Sequence, residues 1–281
     1  TIIYNNYLNE QFCCEFYKIS EAKKIKRLKF PFYSMSPNGR YLSSLNFSIL
    51  SKNRPGYGYS NKISTVKSCN YLFIYDLIDE RKIRYIDKDR LAVFIPKNFD
   101  GTVHLNHIVF SPDSEKVVFM QILKSNKKII NVLIYDIKLD KLSIIKNSFL
   151  ISHYCWKNKN ELILTMRDKF LRWRYYTYNI KQSKLIKLKL KIHTDGHPMV
   201  NPKNENLVVT DTSYRDKNDK LHLIISDLKK YKVIKSIFHP KEYKFENRCD
   251  LHPRWNHHGD IICVDIYHNK QRKMEIINLS E

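Results

Sequence analysis

Five times along this 281-residue chain, a turn of the Ser-Pro-Asn-Gly type leads into a short apolar run. The clearest copies are Ser36-Pro37-Asn38-Gly39 before Tyr41-Leu42, and Ser111-Pro112-Asp113-Ser114 before Val117-Val118-Phe119. Looser copies are Lys157-Asn158-Lys159-Asn160, Asn201-Pro202-Lys203-Asn204 and Asn256-His257-His258-Gly259. Proline and Asn/Asp-Gly set the backbone angles of tight turns between antiparallel strands. Each unit then closes a later strand on a matching ending: Tyr75-Asp76-Leu77, Tyr135-Asp136-Ile137, Tyr178-Asn179-Ile180, Ser226-Asp227-Leu228 and Ile277-Asn278-Leu279. Phe16-Tyr17-Lys18-Ile19 is an earlier, weaker copy.

These endings recur about every 43 to 60 residues, near the length of a four-stranded propeller blade. One such unit cannot bury both of its faces alone, so the units must stack around an axis. The expected fold is all-β: a β-propeller of four-stranded antiparallel blades, occupying residues 1–281 as a single domain. Thr1 comes too late for a full first unit. The N-terminal blade is therefore expected to be incomplete, and the ring to have seven blades with N-terminal sequence missing; six is the alternative. No segment carries a sustained helical period of apolar residues.

Fifty Lys and Arg against 28 Asp and Glu give a formal charge of +22, which raises nucleic-acid binding as a reading. The lysines, however, are scattered over turns and outer strands and form no tract, so no nucleic-acid partner is expected. An acidic sugar is equally well served by such a surface. No apolar run approaches the roughly 18 residues of a transmembrane helix, so no membrane association is expected either. The six cysteines show no Cys-x-x-Cys spacing, which argues against a zinc knuckle or disulfide framework and favours a reducing, cytoplasmic setting. A monomer is expected.

One residue type repeats in register. A histidine stands three positions before a large apolar residue at His107–Phe110, His153–Trp156, His197–Val200 and His252–Trp255. The first strand of a propeller blade lines the central channel, so equivalent positions on successive blades would face one another. Imidazole suits Mn, Fe, Co, Ni, Cu and Zn, so His107, His153, His197 and His252 form a candidate metal set. Three ligands, with the fourth histidine acting on substrate, is an equal arrangement. His104, His193, His222, His239 and His268 lie off the shared position. Arg248 and Arg254 can grip a carboxylate bidentately, and Asp250 and Asp195 can orient histidines through their second ring nitrogen. Asp211 can do likewise, although a turn-starting aspartate is the plainer reading. Tyr154 is read as a substrate contact beside His153, with the blade interior as its other direction. In the Arg54-Pro55-Gly56-Tyr57-Gly58-Tyr59 insertion, Arg54, Tyr57 and Tyr59 are substrate-binding candidates, weighed evenly against a proline-stiffened surface loop.

At Asp195-Gly196-His197-Pro198 and Arg248 through Trp255 the sequence resembles the propeller proteins related to oligogalacturonate lyases, whose blades are TolB-like. Ser152-His153-Tyr154, Ser44-Leu45-Asn46-Phe47 and the Arg54–Tyr59 loop support the resemblance. It implies a divalent metal, typically manganese, held by histidines at the channel mouth, and β-elimination on uronic-acid sugars. Arg248, Arg254, His153 and Asp250 are then the catalytic candidates, and an acidic oligosaccharide the partner. One departure is the lack of a glutamine among the histidine-bearing openings, where such lyases often add one to the metal site. The competing reading is a non-catalytic propeller that binds a glycan or a protein on the same face.

Overall fold

The structure, a computed structural model, describes residues 1–55, 57–59, 72–145, 150–239, 249–269 and 271–279. Arg248 and Gly56, both singled out in the sequence, lie outside the described residues. Contacts divide the chain into two compact units, Thr1–Ile145 and Lys146–Glu281.

The N-terminal unit holds three antiparallel sheets. The first comprises β1 (Ile2–Leu8), β2 (Gln11–Lys18) and β3 (Lys23–Leu28) in that order. The second runs β4 (Ser34–Met35), β5 (Tyr41–Leu45), β6 (Leu72–Asp76) and β7 (Arg81–Ile86). The third runs β8 (Thr102–Phe110), β9 (Lys116–Lys124), β10 (Lys128–Asp136) and β11 (Lys141–Ile144). The C-terminal unit repeats the pattern. Its first sheet is β12 (Ile151–Asn158), β13 (Glu161–Arg167), β14 (Trp173–Asn179) and β15 (Lys184–Lys187). Its second is β16 (Met199–Asn201), β17 (Asn204–Asp211), β18 (Lys220–Ser226) and β19 (Tyr231–Phe238). Its third is β20 (Arg254–Trp255), β21 (Ile261–His268) and β22 (Gln271–Asn278).

Every repeated turn lies where the sequence puts it, between the first and second strand of a sheet. Ser36 Oγ donates to Asn38 Oδ1 at 2.6 Å and the Gly39 N–H donates to the Ser36 carbonyl at 2.9 Å. Gly39 has φ +72°, a left-handed backbone that glycine adopts without steric cost. Asn256 plays the serine's part in the last copy, its Oδ1 accepting from the Gly259 N–H at 2.8 Å. The repeated endings close β6, β10, β14, β18 and β22, and Phe16-Tyr17-Lys18 closes β2. By that alignment the first sheet consists of second, third and fourth strands, which is the incomplete N-terminal blade. The last sheet has the first three. Six sheets are thus described, the smaller of the two counts expected from the repeats.

Among the described residues, two short α-helices accompany the strands: α1 (Phe47–Asn53) and α2 (Lys88–Ala92). Asn46 caps the first by accepting from the Ile49 N–H at 3.1 Å, and Asp87 caps the second by accepting from the Arg90 N–H at 2.9 Å. With seven and five residues they are too short to display a helical period. The cores lie between sheets. Leu72, Ile74, Val117, Phe119, Leu133 and Tyr135 fill one in the N-terminal unit, and Val209, Leu223, Ile262 and Val264 another in the C-terminal unit.

The first sheet also buries a carboxylate. Glu15 accepts from the Tyr4 hydroxyl at 2.8 Å, the Asn6 amide at 3.1 Å and both Arg27 Nε and Nη2, with Lys24 Nζ at 2.9 Å. Lys24 foremost, with Tyr4, Asn6 and Arg27, outweighs burial and holds its carboxyl down from an ordinary 4.5 to about 2. A depressed folded-state pKa contributes stability above the unfolded value and loses it as pH falls toward the folded one. The denaturation midpoint is therefore expected to drop progressively between pH 4.5 and about 2. Glu15→Gln should flatten that part of the curve; an unchanged acid limb would show that the cluster does not hold the carboxylate ionised.

Candidate functional site

The first strands of the three C-terminal sheets are neighbours: β12 packs against β16, and β16 against β20. That adjacency brings three of the predicted histidines together. The ring centroids of His153 and His197 are 4.1 Å apart, and those of His197 and His252 4.2 Å. A register shift between Ile151 and His153 turns the histidine out of the regular pleat of β12, as bulges commonly do beside functional sites. His252 sits at φ +40°, an uncommon backbone for a residue with a side chain.

Two buried aspartates anchor this row. Asp195 Oδ1 meets His153 Nδ1 at 3.1 Å and accepts from Thr165 Oγ1 at 2.9 Å and the Gly196 N–H at 3.0 Å. Its Oδ2 accepts from Ser152 Oγ at 2.5 Å. Asp211 is 0% exposed, and both its oxygens lie at the His197 Nδ1, at 2.9 and 3.0 Å. It also accepts the His197 N–H at 2.7 Å and the His252 N–H at 3.2 Å. The plainer reading of Asp211 as a turn-starter is thereby corrected: it ends β17 inside the unit and ties two site backbones and one imidazole together. A carboxylate on Nδ1 fixes the N–H there and places the lone pair of a neutral ring on Nε2, the arrangement usual for metal-binding or base-acting histidines.

The electrostatics separate the three rings. Burial, then His197, pushes His153 below its ordinary value, and the same pair of influences pushes His252 down to about 4. Burial also opposes charge on His197, but Asp211 wins and raises it. Burial disfavours the charged forms of Asp195 and Asp211, yet His153 holds the first low and His197 the second. The row thus places one imidazole that favours charge between two that favour neutrality.

Asp250 joins from the loop before β20. One ligand atom from each of His197, Asp250 and His252 can be chosen so that all three lie within 4.8 Å of one another. Three donors on one ion stand about 3–4 Å apart at metal–ligand lengths near 2.2 Å, so the three side chains lie within reach of a shared ion. The donors, two imidazoles and a carboxylate, suit a borderline divalent metal. The chain's residues therefore fit such an ion.

Other predicted residues fall elsewhere. Arg254 is exposed on β20, where its Nη2 donates to Asp265 Oδ1 at 2.6 Å. Asp265 also lies 3.8 Å from His252 Nδ1, so it links the arginine to the row; no repeat or motif in the sequence marks it. Burial works against the Arg254 charge, but Asp265 outweighs it and raises the guanidinium. Tyr154 does not join the row: the next residue on β12 faces the opposite side of the sheet, and it is buried there at 7% exposure. Of the two directions that the sequence left open for it, it takes the blade interior.

His107 belongs to the N-terminal unit. It lies on β8 at a register shift, with φ +56°, and its N–H donates to the Tyr33 hydroxyl at 3.0 Å. In the same unit the Arg54 guanidinium stacks 4.4 Å over the Tyr57 ring. Tyr59 packs on Phe12 and Phe47 at centroid distances of 5.4 and 5.5 Å. The ring faces that the sequence offered to a ligand thus have partners within the unit.

No protein-family model matches the sequence, and no curated protein is significantly similar to it. Solved structures do match. TolB from Acinetobacter baumannii aligns with a TM-score of 0.57 at 12% identity over 99% of this chain, which spans 61% of that chain. The acylaminoacyl peptidase of Pyrococcus horikoshii gives 0.61 at 8% over 98% of this chain and 42% of its own. An oligogalacturonate lyase in complex with manganese gives 0.51 at 12%, over 96% of this chain and 82% of its own. At such identities the likeness speaks for the fold alone, and that fold is a β-propeller related to those of TolB and the oligogalacturonate lyases.

Proposed function

We propose that this chain is a metal-dependent, lyase-like enzyme that cleaves uronic-acid oligosaccharides by β-elimination. The observation that carries the reading is the row His153–His197–His252, with buried carboxylates on two of its rings and Asp250 beside it. The fold likeness to a manganese-bound oligogalacturonate lyase supports it. His197, Asp250 and His252 would hold the ion. When bound, a divalent ion such as manganese neutralises the uronate carboxylate and the negative charge that builds as the C5 proton leaves. His153, steadied through Nδ1 by Asp195, presents Nε2 as the proton acceptor. Arg254 holds the sugar carboxylate while Asp265 keeps it charged and in place. The C5–H electron pair becomes the C4–C5 double bond, the C4–O glycosidic bond breaks, and the departing oxygen takes up a proton.

Elemental analysis of the purified protein, followed by incubation with oligogalacturonate and related uronides, tests the reading. A stoichiometric divalent metal and a rising ultraviolet absorbance from the unsaturated product are expected, the second abolished by a chelator and restored by the metal. A folded, metal-free protein without lyase activity would leave the same face as a glycan- or protein-binding surface.

A further inference from the structure

His104, which lies off the shared histidine position, occupies a different setting in the N-terminal unit. Across the sheet it pairs with Ile122, while Thr102 pairs with Lys124 and Lys124 with Lys128. Cross-strand partners, and residues two apart on one strand, share a face. His104, Lys124 and Lys128 therefore project from the same side of β8, β9 and β10. The helix α1 packs against β8, and Arg54 caps its C-terminal end with its guanidinium held on Tyr57.

This group has the chemistry of a receptor. The His104 side chain is 4% exposed, and among the described residues neither ring nitrogen has a hydrogen-bond partner. A buried polar group without a partner is costly, and natural structures fill such positions with a partner, a water or an ion. Lys124 and Lys128 share its sheet face and Arg54 ends the helix packed on its strand, all three close enough to act on its charge, and among the described residues none of them forms an ion pair with a carboxylate. Burial, then Arg54, Lys128 and Lys124, pushes the His104 imidazole down to about 4. Partial desolvation of its ammonium, then Arg54 and Lys124, pushes Lys128 down as well, although the residue stands on an exposed hairpin. A water would satisfy the imidazole but leave the mutual repulsion of the cations untouched. An anion answers both.

We infer that the N-terminal unit carries an oxyanion site, floored by His104 and walled by Arg54, Lys124 and Lys128, that takes a dianionic phosphate group. Three cations match a dianion better than a single carboxylate. The arginine supplies a planar fork of donors and the lysines supply mobile point charges at the solvent rim. The site is independent of the metal reading in the C-terminal unit.

Isothermal titration of the whole chain with inorganic phosphate, with glucose 6-phosphate and with galacturonate tests the assignment, together with nitrogen NMR of the histidine rings. Phosphate binding with a shift of the His104 ring signals is expected, and galacturonate should bind more weakly. Tighter binding of glucose 6-phosphate than of inorganic phosphate identifies a phosphomonoester as the ligand, and the reverse identifies the free anion. Lys128→Met, on an exposed hairpin, and His104→Phe should each weaken binding by about tenfold or more, the worth of one charge-assisted bond. Lys128→Met guards against misfolding of the core variant, since thermal unfolding should leave it like the parent. The inference is overturned by a parent chain that does not bind phosphate, by unchanged affinity in Lys128→Met, or by galacturonate binding more tightly than phosphate.

Discussion

Asp211→Ala is expected to destabilise the protein by about 3–5 kcal/mol, the usual cost of removing one member of a buried, hydrogen-bonded ion pair. The side chain is fully buried and receives the His197 N–H, the His197 Nδ1 and the His252 N–H. Its removal leaves two main-chain donors and one imidazole without their acceptor, each buried orphan costing about 1–3 kcal/mol, though not additively. Two of the three proposed ligands lose their anchor at once, so bound metal should fall to background even in the folded fraction. Asp211→Asn keeps the volume but offers one oxygen where two are used. It should fold better than the alanine variant while binding metal about 10–100-fold more weakly, as other losses of ligand-orienting groups do. Urea denaturation and metal analysis read the two effects separately. An alanine variant within about 0.5 kcal/mol of the parent, with full metal, would remove Asp211 from the site.

Gly196→Ala tests the same region from the side of packing. A Cβ there would sit 2.1 Å from the Asp211 carbonyl oxygen, 2.6 Å from the Tyr175 hydroxyl and 2.8 Å from Thr210 Oγ1. The first of these is main chain at the end of β17, paired with Leu223 of β18, and cannot swing away as a side chain would. Overpacking of this kind costs about 1–3 kcal/mol or more. The displaced backbone also carries Asp195 and His197, the residues on either side, so metal binding should fail together with stability. Gly39→Ala is the control. Nothing lies within 4 Å of the place its Cβ would take, and only the φ of +72° resists the change, at a conformational cost of about 1–2 kcal/mol. Equal metal content in the Gly196 and Gly39 variants would show that the close approach at Gly196 is not what seats His197.

Much of the architecture is local chemistry and therefore legible in one dimension. Ser36, Asn38 and Gly39 satisfy one another within four residues, so the turn they form is present wherever their pattern is. The same holds for the Asn256–Gly259 copy, and the strands between such turns follow from their β-branched and aromatic runs. The histidine register was legible too, because a fixed offset from each turn places His153, His197 and His252 at corresponding points of successive sheets. The blade count was less so. The first sheet announces itself only through Phe16-Tyr17-Lys18, since the turn that marks every other unit follows a first strand that this sheet does not have.

The partners of the histidines lie in another class. Asp211 is 14 residues from His197 and 41 from His252, and only the pairing of β16 with β17 and the packing of β16 against β20 bring the three together. Asp265 reaches Arg254 across the β20–β21 pair, at a position with no repeated signal in the sequence. The direction of Tyr154 was fixed by the side-chain alternation of β12 once its register with β13 was set. His104, unremarkable by position, gained meaning only when burial and its cationic neighbours were known. The sequence by itself determined the turns, the strands and the row of imidazoles, because those depend on neighbours along the chain. Only the tertiary structure decided which carboxylate holds which ring and which cations lack a partner, because charge and burial act through space and not along the backbone.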